Sequence, residues 1–111
     1  MLGALTHGSP PAWHPADPEV LEACAKAAAA CEEAGVALPQ VALRFCLDHP
    51  YVSTTLVGMH SRQQLDSNLA ALDFEIDPTL LRKVRSVLEP VRDRIWASGR
   101  PENYDRAVRK T

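Results

Sequence analysis

Ser61 and Gln64, three residues apart and just after Gly58, are the residues whose types and spacing could hold a ligand. They have the S-x-x-Q spacing of a capping box, in which a hydroxyl and an amide satisfy the unpaired N–H groups where a helix starts. The first turn of such a helix still presents unpaired backbone N–H groups and the positive end of the helix dipole, so an anion such as a phosphate is favoured there. Gly58 permits a tight turn and the close approach of a ligand to bare backbone. One helical turn beyond Gln64 stands Asn68, beside Leu65 and Leu69, where a polar amide on an apolar stripe has to find partners. An ordinary strand-to-helix turn, in which Ser61 and Gln64 only cap each other, fits the same residues equally well.

These residues need elements to position them. Residues 51–57 are apolar and β-branched, the pattern of a buried strand, and the capped helix begins near Arg62. Upstream, residues 7–16 read as an irregular loop. Asp17 is a good N-cap, and Pro18 suits the first helical position. Val20, Cys24, Ala27 and Cys31 repeat at helical spacing, so a helix runs to about Ala34 and stops at Gly35. A second helix runs from Pro39 to about Asp48, apolar on most sides around Val41, Ala42, Phe45 and Cys46, and Pro50 prevents its continuation. Such a helix wants cover on more than one face. Asp77-Pro78 opens a last helix with Leu80, Leu81, Val84, Val87 and Leu88 inward, ending before Pro90, and residues 91–111 form a polar tail. A single strand is the sign of incompleteness here, because a buried strand without neighbours leaves its N–H and C=O groups unpaired.

Other candidate chemistry is weaker. Cys24 and Cys31 lie two helical turns apart, and neither a C-x-x-C nor an H-x-x-x-H pattern offers further ligands, so Cys24, Cys31 and Cys46 read as reduced core thiols and no metal is expected. The formal charge of −2 argues against a nucleic-acid footprint. Nine of the twelve basic residues lie at or after Arg82, which reads as a solvated face. No apolar run approaches the ~18 residues of a membrane span, the start does not resemble a signal peptide, and the cytoplasm is the expected compartment.

Several motifs together resemble the carboxy-terminal part of the aldo-keto reductase family, in particular its L-galactose dehydrogenase group with the related L-fucose and D-arabinose dehydrogenases. Gly3-Ala4-Leu5-Thr6 is similar to the G-x-L-T after the seventh barrel strand, and Pro10-Pro11-Ala12-Trp13-His14-Pro15-Ala16 to a loop of that group. Pro39-Gln40-Val41-Ala42-Leu43-Arg44-Phe45 resembles the P-x-Q-x-A-L-R-[FW] helix, and residues 57–68 the G-x-x-S-x-x-Q-L-x-x-N cofactor segment. Leu88-Glu89-Pro90-Val91 and Trp96-Ala97-Ser98-Gly99 match the final helix and tail.

The resemblance implies an α/β fold, with residues 1–100 as the last part of a (β/α)8 barrel, residues 101–111 as a tail, and residues 51–57 as the eighth strand. A whole barrel needs ~250 residues, so this chain of 111 is expected to be mostly helical by itself, with one short strand. Gly58, Met59, His60, Ser61, Gln64 and Asn68 would face the adenosine end of a nicotinamide dinucleotide, Gly3 and Leu5 would border its pyrophosphate, and Trp13 and Trp96 would line the sugar pocket or anchor loops on the rim. The family's catalytic Asp, Tyr, Lys and His lie on its first four strands. Neither Tyr51 and Tyr104 nor His7, His14, His49 and His60 match them, so no catalytic residue is assigned. The complete enzyme would oxidise an aldose at its anomeric carbon to a lactone with NAD in preference to NADP, while the chain alone would be inactive and prone to self-association. A non-catalytic helical module, a split-gene product that pairs with another chain and a mis-started reading frame are the competing readings.

Overall fold

Acidic caps and prolines set most of the helix starts. In a computed structural model that describes residues 14–95, the Asp17 carboxylate accepts the Val20 N–H at 3.0 Å, and Pro18 opens helix α1, Pro18–Glu33. Its end is a Schellman turn: the Val36 N–H bonds the Cys31 carbonyl at 3.0 Å and the Gly35 N–H bonds the Glu32 carbonyl at 2.9 Å. Gly35 sits at φ +72°, a conformation that strains any residue with a Cβ. Helix α2, Leu38–Leu47, begins without a side-chain cap and has Pro39 in its first turn. Helix α3 is Arg62–Ala70 and helix α4 is Pro78–Leu88, followed by a 3-10 turn, Glu89–Val91, that contains Pro90.

The core lies where α1, α2 and α4 meet. Ala27, Cys31, Leu38, Val41, Leu80 and Val84 are buried together, with Val36, Phe74, Ile76, Val87 and Leu88 packed around them. Small residues on α1 let α4 approach closely. Two exposed ion-pair sites mark the register: Lys83 meets Glu33 at 2.7 Å, and Arg94 reaches Asp17 and Glu19 at 3.5 and 2.9 Å. The chain thus runs from one end of α1 to the other as it leaves α4, so the two helices are antiparallel. Exposed pairs of this kind orient more than they stabilise.

Three expectations need correction. Residues 51–57 form no strand; they contain one turn residue and one bend, and Tyr51 and Leu56 are 91% and 94% exposed. A strand exists only by exchanging backbone hydrogen bonds with a neighbour, and no described residue supplies one. The described residues are therefore all-helical in their regular structure. The buried stripe of α1 is Val20, Ala23, Ala27, Ala30 and Cys31, which leaves Cys24 half-buried at the margin. Cys46 is exposed, because α2 rests on the core through Leu38 and Val41 and its Phe45–Cys46 side is uncovered. Burial raises the pKa of both the Cys24 and the Cys31 thiol.

The Asp77 carboxylate caps α4, accepting the Thr79 and Leu80 N–H groups at 2.7 and 2.8 Å, and these bonds hold its pKa below the ordinary value. A pKa depressed by folding means that the cap's contribution is complete above the unfolded value and is lost as pH falls through the folded one. Between about pH 6 and about pH 2, helicity followed by circular dichroism should therefore fall further for the native chain than for Asp77→Asn, which keeps an acceptor oxygen without the charge. Identical acid profiles would dismiss the charged cap.

Candidate functional site

The amino-terminal end of α3 is built by His60, Ser61 and the side-chain amide of Gln64, which reaches back. Ser61 adopts an extended backbone, its hydroxyl accepts the Gln64 N–H at 3.2 Å, and its carbonyl accepts the Leu65 N–H at 3.1 Å. The side-chain oxygen Oε1 of Gln64 accepts the His60 N–H at 2.9 Å, one residue earlier than a capping box would place it. That bond fixes which end of the Gln64 amide is oxygen. Its nitrogen then lies 3.2 Å from His60 Nε2, and since an amide nitrogen only donates, the imidazole accepts there and carries its proton on Nδ1. Both ends of the Gln64 amide are thus engaged with His60. The sequence implied capping, but the His60 ring contact carried no signal in it.

Two N–H groups of the first turn, on Arg62 and Gln63, have no hydrogen-bond partner among the described residues, and the dipole points positive at this place. Arg62 does not close over them. It is 92% exposed at its side chain and pairs with Asp66 at 3.8 Å on the solvent side, as its angular offset of about 200° from Gln64 requires.

Gly58 departs from one expectation. It has no positive φ and no turn is formed at it, so the tight-turn role is not realised. A Cβ built on it meets nothing within 4 Å. The fold of the described chain places no demand for glycine at this position, and the space in front of its backbone is open. Met59 is half-exposed beside it.

Asn68 is brought to the same helix, one turn beyond Gln64. Its amide nitrogen is buried and has no hydrogen-bond partner among the described residues. Leaving such a donor unpaired costs ~1–3 kcal/mol, which is why buried polar atoms are nearly always satisfied. The orphan donor and the open Gly58 backbone are features that an external polar ligand would satisfy. Gly3, Leu5, Trp13 and Trp96 lie outside the described residues. No group of three His, Cys, Asp or Glu gathers around a common point among the described residues, and no helix among them is long and apolar enough to cross a membrane.

Arg44 is the residue that sequence reading passed over. On α2, its Nη1 donates to the Leu72 carbonyl at 2.7 Å, while Nε and Nη2 both bond Asp48 Oδ1, the former at 2.9 Å. These contacts hold the Asp48 carboxyl below its usual pKa and the guanidinium above its own. The spacing of Arg44 and Asp48, four residues apart on one helix, was visible in the sequence. The carbonyl 28 residues away was not.

A family model described as the Aldo/keto reductase family matches residues 5–89. Among curated proteins, the chain is 38% identical over 106 residues to an L-galactose dehydrogenase of Arabidopsis thaliana, a match covering 92% of this chain and 33% of that protein. It is 36% identical over 59 residues to a putative voltage-gated potassium channel subunit beta of Schizosaccharomyces pombe, covering 51% of this chain and 17% of that one. It is also 31% identical over 75 residues to a probable voltage-gated potassium channel subunit beta of Arabidopsis thaliana, covering 66% and 21%. The chain spans a third or less of the length of these relatives.

Proposed function

The chain belongs to the aldo/keto reductase family, whose members are oxidoreductases that use nicotinamide cofactors, and from that premise we propose that it is the adenosine-side, carboxy-terminal part of an NAD-dependent sugar dehydrogenase. The observation that carries this reading is the buried amide nitrogen of Asn68, unpartnered among the described residues and one turn from a helix start with open N–H groups. An adenine ring offers acceptor nitrogens to such an amide, and the phosphate on the adenosine side suits the α3 dipole. Gly58 lets that phosphate approach bare backbone. The likeness to an L-galactose dehydrogenase supports an aldose, such as L-galactose or L-fucose, as substrate.

When bound, the nicotinamide supplies a hydride acceptor for oxidation of the anomeric carbon, the hydroxyl proton leaving to a base and a lactone being formed. Within the chain, α3 binds and orients the adenosine end. The proton-transferring groups are proposed to lie outside these 111 residues, since none of its tyrosines or histidines sits in a matching context.

A second reading, a non-catalytic module that pairs with another chain, draws on the exposed apolar side chains Phe45, Val52, Leu56, Leu65, Leu69 and Leu72. Apolar side chains left in water mark an interaction site where they adjoin. In the dehydrogenase reading the rest of the barrel covers these side chains. Both readings expect the isolated chain to bind a hydrophobic dye and to elute larger than its 12.2 kDa mass; a monomer with a sharp thermal transition would count against both.

The two readings separate when the chain is joined to the part of the Arabidopsis protein that its match does not cover. Oxidation of L-galactose by that fusion is the dehydrogenase outcome. In it, Gly58→Ala should leave the melting temperature in place, since its Cβ enters open space, and should raise KM for NAD by about tenfold, the order of one lost charge-assisted hydrogen bond. An unchanged KM would remove Gly58 from the cofactor site.

Cofactor choice follows from the charges near the ribose. Gly58, His60 and Gln64 offer no fixed cation for a 2'-phosphate, and Arg62 is turned to solvent. NAD should therefore be preferred, and Gln64→Arg should move the kcat/KM ratio toward NADP by about tenfold or more, because arginine pairs its donors with phosphate oxygens. A native preference for NADP would show that the adenosine pocket is wrongly placed.

A further inference from the structure

We propose that Arg44 is a positioning residue that tethers the carboxy-terminal end of α3 to α2 and so sets where the Gln64 and Asn68 face of α3 stands. The tether follows from how little else holds α3. None of its residues is buried, Leu65 and Leu69 are exposed, and its packing is chiefly on α2. Its anchors are at one end. Ala71, the residue that caps it, is fully buried, and the next residue, Leu72, gives its carbonyl to the Arg44 guanidinium. The closing turn itself is formed by the Ala71 N–H on the Asn68 carbonyl at 3.2 Å and the Leu72 N–H on the Leu69 carbonyl at 3.0 Å.

The chemistry of arginine suits this place. A guanidinium addresses two acceptors along different edges of one plane, here Asp48 Oδ1 on its own helix and the Leu72 carbonyl on the other segment. Asp48 orients the group before it meets the carbonyl. Asp73 and Glu75, just after the closing turn, add further negative charge within its field. A lysine could reach one acceptor as a point charge, but it cannot bridge both in the same plane. Because the carbonyl end of a helix is also the negative end of its dipole, a cation is favoured there on both counts.

The functional consequence rests on the reading of α3 as the cofactor helix, while the tether stands on geometry alone. Its test is backbone hydrogen exchange on the 111-residue chain, comparing the native sequence with Arg44→Met, Arg44→Lys and Asp48→Asn. Methionine keeps an apolar stem and deletes the donors. The expected result is exchange at the amides of Leu65 to Leu72 that is faster by about tenfold or more in Arg44→Met, with α1 and α4 unchanged, partial recovery in Arg44→Lys, and an intermediate value in Asp48→Asn. Unchanged exchange in α3 overturns the tether. A uniform acceleration across α1 and α4 also overturns it, by making Arg44 a support of the whole core, and so does an α3 that exchanges freely in the native chain. Failure of the cofactor reading is seen separately, in an unchanged KM for NAD on Gly58→Ala.

Discussion

The close contact of α1 with α4 is the interaction on which the described structure depends. It is possible because α1 presents Ala23, Ala27, Ala30 and Cys31 on one side, and Ala27 and Cys31 are completely buried. Small residues bring the helix axes near enough for Leu80 and Val84 of α4 to fill the space, and α2 then closes the cluster with Leu38 and Val41. Packing of this density makes single methylene changes costly. The ion pairs at Glu33 and Arg94 lie at the edges of this contact and fix its direction more than its strength.

The half of the chain that bears the candidate site is held very differently. Residues 51–59 are held, among the described residues, by the Val52 N–H on the His49 carbonyl, the Tyr51 N–H on His49 Nδ1 and an edge contact between the Tyr51 and His49 rings, and α3 has no buried residue. At its amino-terminal end Ser61, Gln64 and His60 bond one another while the Arg62 and Gln63 N–H groups stay open among the described residues, and its carboxy-terminal end hangs on Ala71 and Arg44. The family's fold is a closed barrel, in which outer helices gain much of their burial from the strands beneath them; α1 and α4 bury their facing sides on each other.

The site's own physics is one of unmet demand. An anion-favouring helix start, a glycine backbone facing open space and a buried amide nitrogen without a partner among the described residues stand together here, and in the proposed reading a dinucleotide's adenosine end would answer all three. Gln64 is the exception, because its amide is fully engaged with His60. Any contact it makes with a ligand would have to share or replace those bonds.

The sequence by itself determined the local features. Asp17 and Ser61 cap the helices they were expected to cap, Asp77 and Pro78 open the last helix, Gly35 ends α1 in a left-handed turn, and Leu80 and Val84 are buried, because these effects act within a turn or two of chain. The family was legible for a similar reason, since its motifs are contiguous. What only the tertiary structure decided were the facts that need a distant partner. Whether residues 51–57 become a strand depends on neighbours to hydrogen-bond with, and without them the same β-branched residues lie in turns and solvent. Which face of α2 is covered depended on where α1 and α4 pack, so Cys46 and Phe45 are exposed despite their apolar surroundings in sequence. The bond from Arg44 to the Leu72 carbonyl belongs to the same class: local spacing fixes a charge on a helix, but the chain's long-range path chooses its acceptor.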